Sequence, residues 1–200
     1  LKENYNRNDG VIIQNFHPKP VEQIKKQYSP VKVVWVANFK PIKRPELFVR
    51  LAKDLGNIKN VEYIMVGRRG SEKLYKSLHE EISKAGNIKY LGEQNINQVN
   101  KILAESHLFV NTSVAEGFPN TFIQAWMRQV PVVSVSVQAV GVLEEKSIGV
   151  FGRSYEGMRD AVRKLINEKD LREEMGKKAQ EYAFKKHSSD NVNKLLSLMK

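Results

Sequence analysis

The stretch LFVNTSVAEGFPNTFIQAW covers residues 108–126 and contains three kinds of structure in a row. Its first residues are apolar and indicate a buried strand that ends near Asn111. A polar loop follows and carries Glu116. Pro119 and Asn120 then suit the start of a helix, because apolar residues recur along one side of the segment that follows. The stretch therefore predicts a strand, a loop and a helix in direct succession.

Outward from this unit, short apolar runs alternate with helical patterns along the chain. Most of the runs are β-branched and apolar at every position, which is typical of parallel strands covered by helices on both faces. Strands that alternate with helices indicate an α/β fold with a parallel sheet. The predicted strands are Val11 to Ile13, Val31 to Ala37, Tyr63 to Val66, Ile88 to Leu91, Leu108 to Asn111 and Pro131 to Val137.

Helical patterns fill the intervals between these runs. After Pro45 an apolar stripe extends to Leu55, and Gly56 suits the end of that helix. No internal linker is visible, so residues 11–200 are interpreted as one domain, and the polar residues 1–10 as a linker or the exit of a preceding domain. The other main helices are predicted at Glu72 to Lys84, Gln98 to Ser106, Tyr155 to Asn167, Asp170 to Lys186 and Asp190 to Lys200, the last three as a helical C-terminal tail.

Composition narrows the class of protein. The chain has 200 residues, of which 41% are hydrophobic, and this is enough for one full-sized core. It contains no cysteine, so disulfide bonds are excluded and a reducing, cytoplasmic setting is favoured. No apolar run approaches the ~18 residues that a membrane-spanning helix needs. The formal charge of +11 favours nucleic acid, an anionic membrane or a phosphorylated small molecule as partner, but does not choose among them.

Loops after the predicted strands carry candidate binding residues, since open parallel sheets bind ligands beyond the carboxyl ends of their strands. The first loop, from Asn38 to Arg44, places three cations beside a helix start, which suits a phosphate or simply a solvated loop. The second loop, from Gly67 to Gly70, contains two arginines, and its first glycine permits a close backbone approach. In the third, from Gly92 to Asn95, the asparagine suits a helix N-cap.

The fourth loop, which carries Glu116, is the most informative. Gln124 lies about one turn into the predicted helix, so the two side chains are expected to face the same small volume beside the helix N-terminus. Free backbone N–H groups and the helix dipole favour a phosphate there. A carboxylate would repel that phosphate, so Glu116 is expected to accept hydrogen bonds from hydroxyl groups such as those of a sugar. The alternative is a capped helix in which Glu116 only supports the loop.

Residues 116–126, EGFPNTFIQAW, resemble the Glu-x7-Glu signature of the group 1 (family four) retaining glycosyltransferases. The resemblance extends over nearly the whole chain, including the loop after Ala37, the turn at Gly67 and the run from Gly141 to Glu145. It implies the GT-B architecture, in which two Rossmann-like domains face each other across a cleft. This chain would be the second domain, a Rossmann-like parallel sheet flanked by helices, which binds the nucleotide sugar.

The resemblance also implies a role for individual residues. Lys43 aligns with the lysine that contacts the diphosphate, and Glu116 with the first signature glutamate, which contacts the transferred sugar, so these two are the candidate catalytic residues. Gln124 replaces the glutamate that holds the ribose hydroxyls, and Asn38 replaces an arginine that contacts the diphosphate. The candidate donor-binding residues are Asn38, Lys40, Arg44, Gly67, Arg68, Gly92, Gly117, Phe118, Pro119, Asn120, Thr121 and Gln124, among which Lys40, Arg44 or Arg68 would compensate for the missing arginine.

The activity implied by the resemblance is transfer of a hexosyl or related group from a nucleotide-diphosphate donor to an acceptor hydroxyl, with retention at the anomeric carbon. No cofactor and no metal are expected. The expected partners are the nucleotide sugar and an acceptor glycan or lipid-linked sugar held by the missing N-terminal domain, with no nucleic acid. The resemblance also implies cell-surface polysaccharide biosynthesis in the cytoplasm, with peripheral contact at the inner face of the membrane.

Other functions stay open at this point. A sugar-nucleotide epimerase or phosphorylase shares the architecture but carries different signatures. A nucleic-acid-binding module would gather its cations on one face among aromatic side chains, whereas here they are spread over many helices and only 8% of residues are aromatic. A nucleotide-sugar-binding domain with reduced turnover is favoured by the changes at Asn38 and Gln124. The isolated domain is expected to transfer sugar poorly, because the acceptor side is missing.

Overall fold

The computed structural model describes residues 14–21, 26–70 and 72–198 of the chain. These residues form a six-stranded sheet in which every neighbouring pair of strands is parallel. The α/β prediction is therefore confirmed, whereas the strand predicted at 11–13 and the boundary predicted at residue 10 lie outside the described residues. The strands are β1 (Val31–Val36), β2 (Val61–Val66), β3 (Ile88–Tyr90), β4 (Leu108–Asn111), β5 (Val132–Ser134) and β6 (Gly149–Phe151).

Helices cover both faces of the sheet and continue beyond it as a C-terminal tail. A short 3-10 helix, Pro41–Lys43, precedes the first of them. The predicted Asn95 cap is confirmed, because its side chain accepts a hydrogen bond from the Gln98 backbone and the Gln98 side chain accepts one in return. The α-helices are α1 (Pro45–Asp54), α2 (Glu72–Ala85), α3 (Ile96–Glu105), α4 (Asn120–Trp126), α5 (Val142–Glu145), α6 (Tyr155–Asn167), α7 (Lys169–Lys186) and α8 (Asp190–Leu198).

Alternate residues of the central strands enter separate cores on the two faces. Val33 and Trp35 of β1 pack in one core with α1, α2 and α6, while Val34 packs in the other with α3, α4 and α7. All three side chains are at most 1% exposed. Burial on both faces explains why β1 is apolar at consecutive positions instead of alternating.

The structure contains two elements that the sequence pattern did not predict, β6 and α5, and its strand β5 is shorter than predicted. β6 has only three residues, too few to show a period, and it begins with Gly149. A Cβ at Gly149 would lie 2.3 Å from the Val132 carbonyl oxygen, so the pairing of β5 with β6 requires a glycine there. β5 ends at Ser134 instead of Val137, because the Ser134 hydroxyl accepts a hydrogen bond from the Val137 N–H and turns the chain.

The order of the strands determines where a ligand can bind. Across the sheet they run β3-β2-β1-β4-β5-β6, so the chain first builds outward from β1 and then returns to add β4 on the other side of it. The loops that leave β1 and β4 lie at this reversal, at the carboxyl edge of the sheet, where open parallel sheets bind ligands in a crevice. The first and fourth loops singled out by the sequence analysis therefore lie side by side.

Candidate functional site

Hydrogen bonds join the two loops on either side of the crevice. The Val114 N–H donates to the Ile42 carbonyl over 2.9 Å, and the Thr112 hydroxyl donates to the Lys43 carbonyl over 2.6 Å. The Trp35 ring N–H, from inside the core, donates to the same hydroxyl at 2.9 Å. The loop after β1 is thus fixed against the loop after β4, and both are anchored in the core.

Lys43 and Glu116, the two candidate catalytic residues, meet across this crevice. The Lys43 Nζ lies 2.9 Å from Glu116 Oε2, and the two side chains are 25% and 18% exposed. Burial by itself would raise the pKa of Glu116, but hydrogen bonds from Ser113, Lys43 and Asn111 outweigh it and lower that pKa below its usual value. The carboxylate is therefore ionised at neutral pH and held beside a cation at an accessible position.

Asn111 holds the Glu116 carboxylate in place by a hydrogen bond, and it was not among the site residues predicted from the sequence. It is the last residue of β4 and is buried, and its amide nitrogen donates to Glu116 Oε1 over 2.9 Å. Its amide oxygen accepts from the Ser113 N–H at 3.2 Å and from the Ser134 hydroxyl at 3.3 Å. A polar residue at the buried end of an apolar strand was the signal that could have identified it.

Arg44, predicted as a donor-binding residue, is engaged by the protein itself. Its Nε donates to the Thr112 carbonyl over 2.8 Å and its Nη2 donates to the Ser136 hydroxyl over 2.7 Å. A longer bond of 3.4 Å reaches the Ser113 carbonyl. Its guanidinium therefore braces the loops after β1, β4 and β5, and is less available to a phosphate than the sequence suggested.

Close backbone contact joins the loops after β1 and β2. Gly67 has a φ of +152°, and a Cβ placed on it would lie 1.7 Å from the Ala37 carbonyl oxygen. The Asn38 amide oxygen accepts a hydrogen bond from the Arg68 N–H at 3.1 Å, and the Gly67 N–H donates to the Gly92 carbonyl at 2.9 Å. The predicted close approach at Gly67 is confirmed, and the loops after β1, β2 and β3 form one continuous edge.

Two predicted cations remain exposed on that edge. Lys40 lies next to the 3-10 helix and Arg68 follows the glycine turn, and both side chains face solvent. Asn38 is half-buried, and its amide oxygen accepts the hydrogen bond from the Arg68 N–H. Lys40, Lys43 and Arg68 thus contribute positive charge to this edge, together with Arg69, which follows Arg68 and is also exposed.

The turn that opens α4 has one open position and several packed ones. A Cβ on Gly117 would meet no atom within 4 Å, so there is space beside this backbone. Pro119 is buried, and the Phe118 ring packs against the His187 ring with 4.9 Å between centroids. Asn120 is exposed and accepts a hydrogen bond from Asn15, and Thr121 is half-buried. Gly117 thus borders open space, while Phe118 and Pro119 support the turn.

Gln124 lies deeper than the sequence suggested. It is 5% exposed, and its amide nitrogen is 3.5 Å from the Asn100 amide oxygen of α3, which is a weak hydrogen bond. No hydrogen bond between Gln124 and Glu116 is present among the described residues. The structure therefore does not bring the two side chains together: Glu116 contacts Lys43 and Asn111, whereas Gln124 contacts Asn100 of α3.

The described residues contain no group of three His, Asp or Glu side chains that could hold a metal ion. His107 has a structural role, because its Nδ1 accepts from the Lys32 N–H at 3.0 Å and its Nε2 donates to the Gln27 carbonyl at 2.8 Å. Within the described ranges, no helix has the length and apolar character needed to cross a membrane.

Comparison with known proteins identifies a family. The family described as "Glycosyl transferases group 1" matches residues 18–182. A curated relative, N-acetyl-alpha-D-glucosaminyl L-malate synthase from Bacillus anthracis, is 24% identical over 189 residues, which are 88% of this chain and 48% of the relative. The chain thus spans about half the length of the curated relative that it matches.

Solved structures of glycosyltransferases share the fold. A mutant of S. aureus TarM in complex with Fondaparinux, alpha-GlcNAc-glycerol and UDP has a TM-score of 0.73 and 24% identity, over 94% of this chain and 38% of TarM. Anabaena HepE in complex with UDP and glucose has a TM-score of 0.75 and 19% identity, over 86% of this chain and 48% of HepE. These similarities confirm the Rossmann-like architecture that the sequence predicts.

Proposed function

Because the chain belongs to the family of group 1 glycosyl transferases, we propose that it is the donor-binding half of a retaining enzyme that uses a nucleotide-diphosphate sugar. One observation carries the proposal: Lys43 and Glu116, from different loops, meet 2.9 Å apart at the strand-order reversal of the sheet. A phosphate-binding cation and a hydroxyl-binding carboxylate are then within reach of the same ligand. Retention is inferred from the similarity of residues 116–126 to the signature of the retaining enzymes.

The reaction breaks the bond between the anomeric carbon and the diphosphate oxygen and forms one between that carbon and the oxygen of an acceptor hydroxyl, whose proton passes to the departing diphosphate. Negative charge develops on the departing diphosphate, and preorganised cations stabilise such charge most effectively. Lys43 is placed for this role, with Lys40 and Arg68 along the same edge. The proposal needs no metal and no cofactor, since these cations supply the positive charge.

Glu116 would hold the sugar ring through its hydroxyl groups. Its lowered pKa keeps it ionised, so it accepts hydrogen bonds and does not donate them. Within the protein, Lys43 contacts one carboxylate oxygen and Asn111 the other. A donor would take Lys43 with its diphosphate and free Oε2 for a sugar hydroxyl, while Asn111 keeps the carboxylate in position.

The donor and acceptor are proposed at the level of class. The similar structures of TarM and HepE contain UDP, which makes uridine diphosphate the first nucleotide to test. The acceptor, a glycan or a lipid-linked sugar, would bind to the other half of the full-length protein. The cytoplasmic location, the peripheral contact with the membrane and the role in polysaccharide biosynthesis belong to this proposal as well.

A second candidate function is nucleotide-sugar binding with reduced turnover. Asn38 is neutral, so it supplies no charge to a diphosphate, and its amide oxygen is already bonded to the Arg68 N–H. Gln124 is buried beside Asn100 and lacks the charge of a glutamate. Both features weaken donor contacts without removing the Lys43 and Glu116 pair, and a domain that binds the donor but turns it over slowly is consistent with them.

The test is calorimetric titration of the 200-residue chain with UDP and with UDP-sugars. We expect binding of both, and a loss of about ten-fold or more in affinity for both in Lys43→Ala, because one charge-assisted contact to a phosphate disappears. Glu116→Gln should weaken only the UDP-sugar, since it contacts the sugar. Lys59→Ala is the matched control, because Lys59 is an exposed lysine just before β2, at the opposite edge of the sheet.

The result that overturns the donor site is the absence of binding for every nucleoside diphosphate and nucleotide sugar tested, or unchanged affinity in Lys43→Ala. Thermal unfolding of each variant shows whether it is folded. Transfer is measured separately, with the isolated chain and with the full-length protein. We expect transfer only from the latter, and binding without transfer in both would favour the second candidate function.

A further inference from the structure

A cavity bordered by basic side chains lies at the opposite edge of the sheet from the donor crevice, the crevice that holds Lys43 and Glu116. It has a volume of about 500 Å³ and lies between the segment at residues 26–28, the turn at 127–129 and helix α7. His107, which directly precedes β4, is part of its lining. The cavity therefore lies at the amino end of β4, whereas Lys43 and Glu116 lie beyond its carboxyl end.

Positive charge converges on this cavity. Lys26, Arg128, Arg172 and Lys177 line it together with one carboxylate, that of Glu173. This carboxylate already has a cation nearby, since Lys169 Nζ lies 3.8 Å from Glu173 Oε1. The cavity is therefore lined by four cations and one carboxylate, and this carboxylate is also close to a fifth cation, Lys169.

Arg172, which is buried, and Lys26, which is half-buried, form no ion pair with a carboxylate among the described residues. Arg172 belongs to α7 and is 5% exposed. Its Nη1 donates to the Leu165 and Ile166 carbonyls at 2.6 and 3.0 Å, so its guanidinium lies at the C-terminal end of α6, where a cation is favourable. Lys26 Nζ donates only to one neutral acceptor that the structure records, the Gln129 carbonyl at 2.8 Å. Buried cations in proteins are almost always paired, so an unpaired one needs an explanation.

The positive charges of Lys26 and Arg172 repel each other. Burial, followed by repulsion from Arg172, lowers the pKa of Lys26 to about 7, and the weaker attraction of Glu173 does not offset them. Burial also lowers the pKa of Arg128 and that of Arg172. An anion in the cavity would relieve the repulsion and restore the solvation that burial removes.

We propose that this cavity is an anion site for a phosphate-bearing ligand, held by Lys26 and Lys177 with Arg128 and Arg172 behind them. The neutral His107 is not a ligand, because both its ring nitrogens are hydrogen-bonded to backbone. The shared chemistry is a phosphate group, which either a dissolved phosphate ester or the headgroup of an anionic lipid supplies. The site is separate from the donor crevice, and it stands or falls independently of the proposed transferase activity.

The test uses the full 200-residue chain carrying Lys43→Ala, so that binding beside Glu116 is weakened and binding in the cavity lined by Lys26 and Lys177 is easier to resolve. In one arm, inorganic pyrophosphate is titrated by calorimetry. In the other, sedimentation with phosphatidylglycerol vesicles is compared with sedimentation with phosphatidylcholine vesicles. We expect saturable binding in one arm, weakened about ten-fold by Lys26→Met and also by Lys177→Ala, since each removes a charge-assisted contact.

Lys178→Ala is the matched control, because Lys178 is exposed on the same helix, pairs with Glu174 at 2.6 Å and does not line the cavity. The Lys178→Ala variant should bind pyrophosphate or vesicles as tightly as the Lys43→Ala chain from which it is made. Lys177 is exposed, so its variant stays informative if Lys26→Met fails to fold. Absence of binding in both arms, or equal loss in Lys177→Ala and Lys178→Ala, overturns the proposal; the second result would indicate attraction to net charge alone.

Discussion

Lys43 and Glu116 form an ion pair that is partly open to solvent. Pairs of this kind usually contribute less than about 1 kcal/mol to folding, so Lys43 can exchange its partner at little cost. Glu116 is held more firmly, because Asn111 donates to it from the buried end of β4. At the scale of single residues, the site therefore combines a fixed acceptor with a cation that is able to move.

Gly117 tests how close the donor comes to the signature turn. Its Cβ position is open, so Gly117→Ala should change the free energy of unfolding by no more than about 0.5 kcal/mol. If the sugar nucleotide lies against this backbone, the added methyl group should lower its affinity about ten-fold by displacing it. Calorimetry with UDP-sugars and urea unfolding of the same variant check both statements. Unchanged affinity with unchanged stability would place the ligand away from Gly117.

At the scale of the elements, the loops after β1, β2 and β3 are interlocked by backbone contacts. Gly67 lies against Ala37, and Asn38 binds the backbone of Arg68. The Gly67 N–H also reaches the loop after β3 through the Gly92 carbonyl. The cationic edge of the crevice is thus a property of three strands in register and not of one flexible loop.

Gly67→Ala should break this interlock. A methyl group 1.7 Å from the Ala37 carbonyl oxygen forces the two loops apart, and we expect unfolding to become easier by roughly 2–4 kcal/mol. Gly86→Ala is the matched control, because Gly86 also has a positive φ, +66°, but no atom within 4 Å of its Cβ position. It should cost about 1 kcal/mol. Urea unfolding measures the loss of stability in each variant. Equal losses would show that the positive φ of Gly67, and not its close approach to Ala37, makes a glycine necessary there.

At the scale of the whole molecule, β4 connects two polar regions. Asn111, at the carboxyl end of β4, holds Glu116 in the crevice with Lys43. His107, just before the amino end of β4, lines the cavity that contains Lys26 and Lys177. Burial, with repulsion from Lys26, Arg172 and Lys32, lowers the pKa of His107 to about 4. The histidine is therefore neutral in the folded protein at physiological pH.

Acid should destabilise the fold through His107. As the pH falls from about 6.5 toward 4, the unfolded chain binds a proton that the folded chain excludes, so stability decreases by up to about 1.4 kcal/mol per pH unit. His107→Gln should be less stable by about 1–2 kcal/mol at pH 7, since it loses hydrogen bonds to Lys32 and Gln27. Its stability should depend less steeply on pH in that window. Urea unfolding at about pH 5, 6 and 7 tests this, and parallel curves for the two proteins would contradict it.

Local patterns were enough to predict much of this protein. The strands of the central sheet are apolar at consecutive positions because both of their faces are buried, and the bounds of β4 and α6 follow from the sequence. The likeness of residues 116–126 to the family signature is also local, since one continuous segment carries it. Pairing with a neighbour, by contrast, made β6 a strand, since three residues that begin with Gly149 have no period of their own.

Only the tertiary structure decided which of the predicted site residues share the crevice. It joined Lys43 to Glu116 and added Asn111, while Arg44, Phe118 and Gln124 proved to be engaged with the protein itself. The physical reason is that strand and helix periods are set by neighbours in sequence. The partner of a charge or an amide is set by the order of strands in the sheet, which brings together residues far apart in the chain.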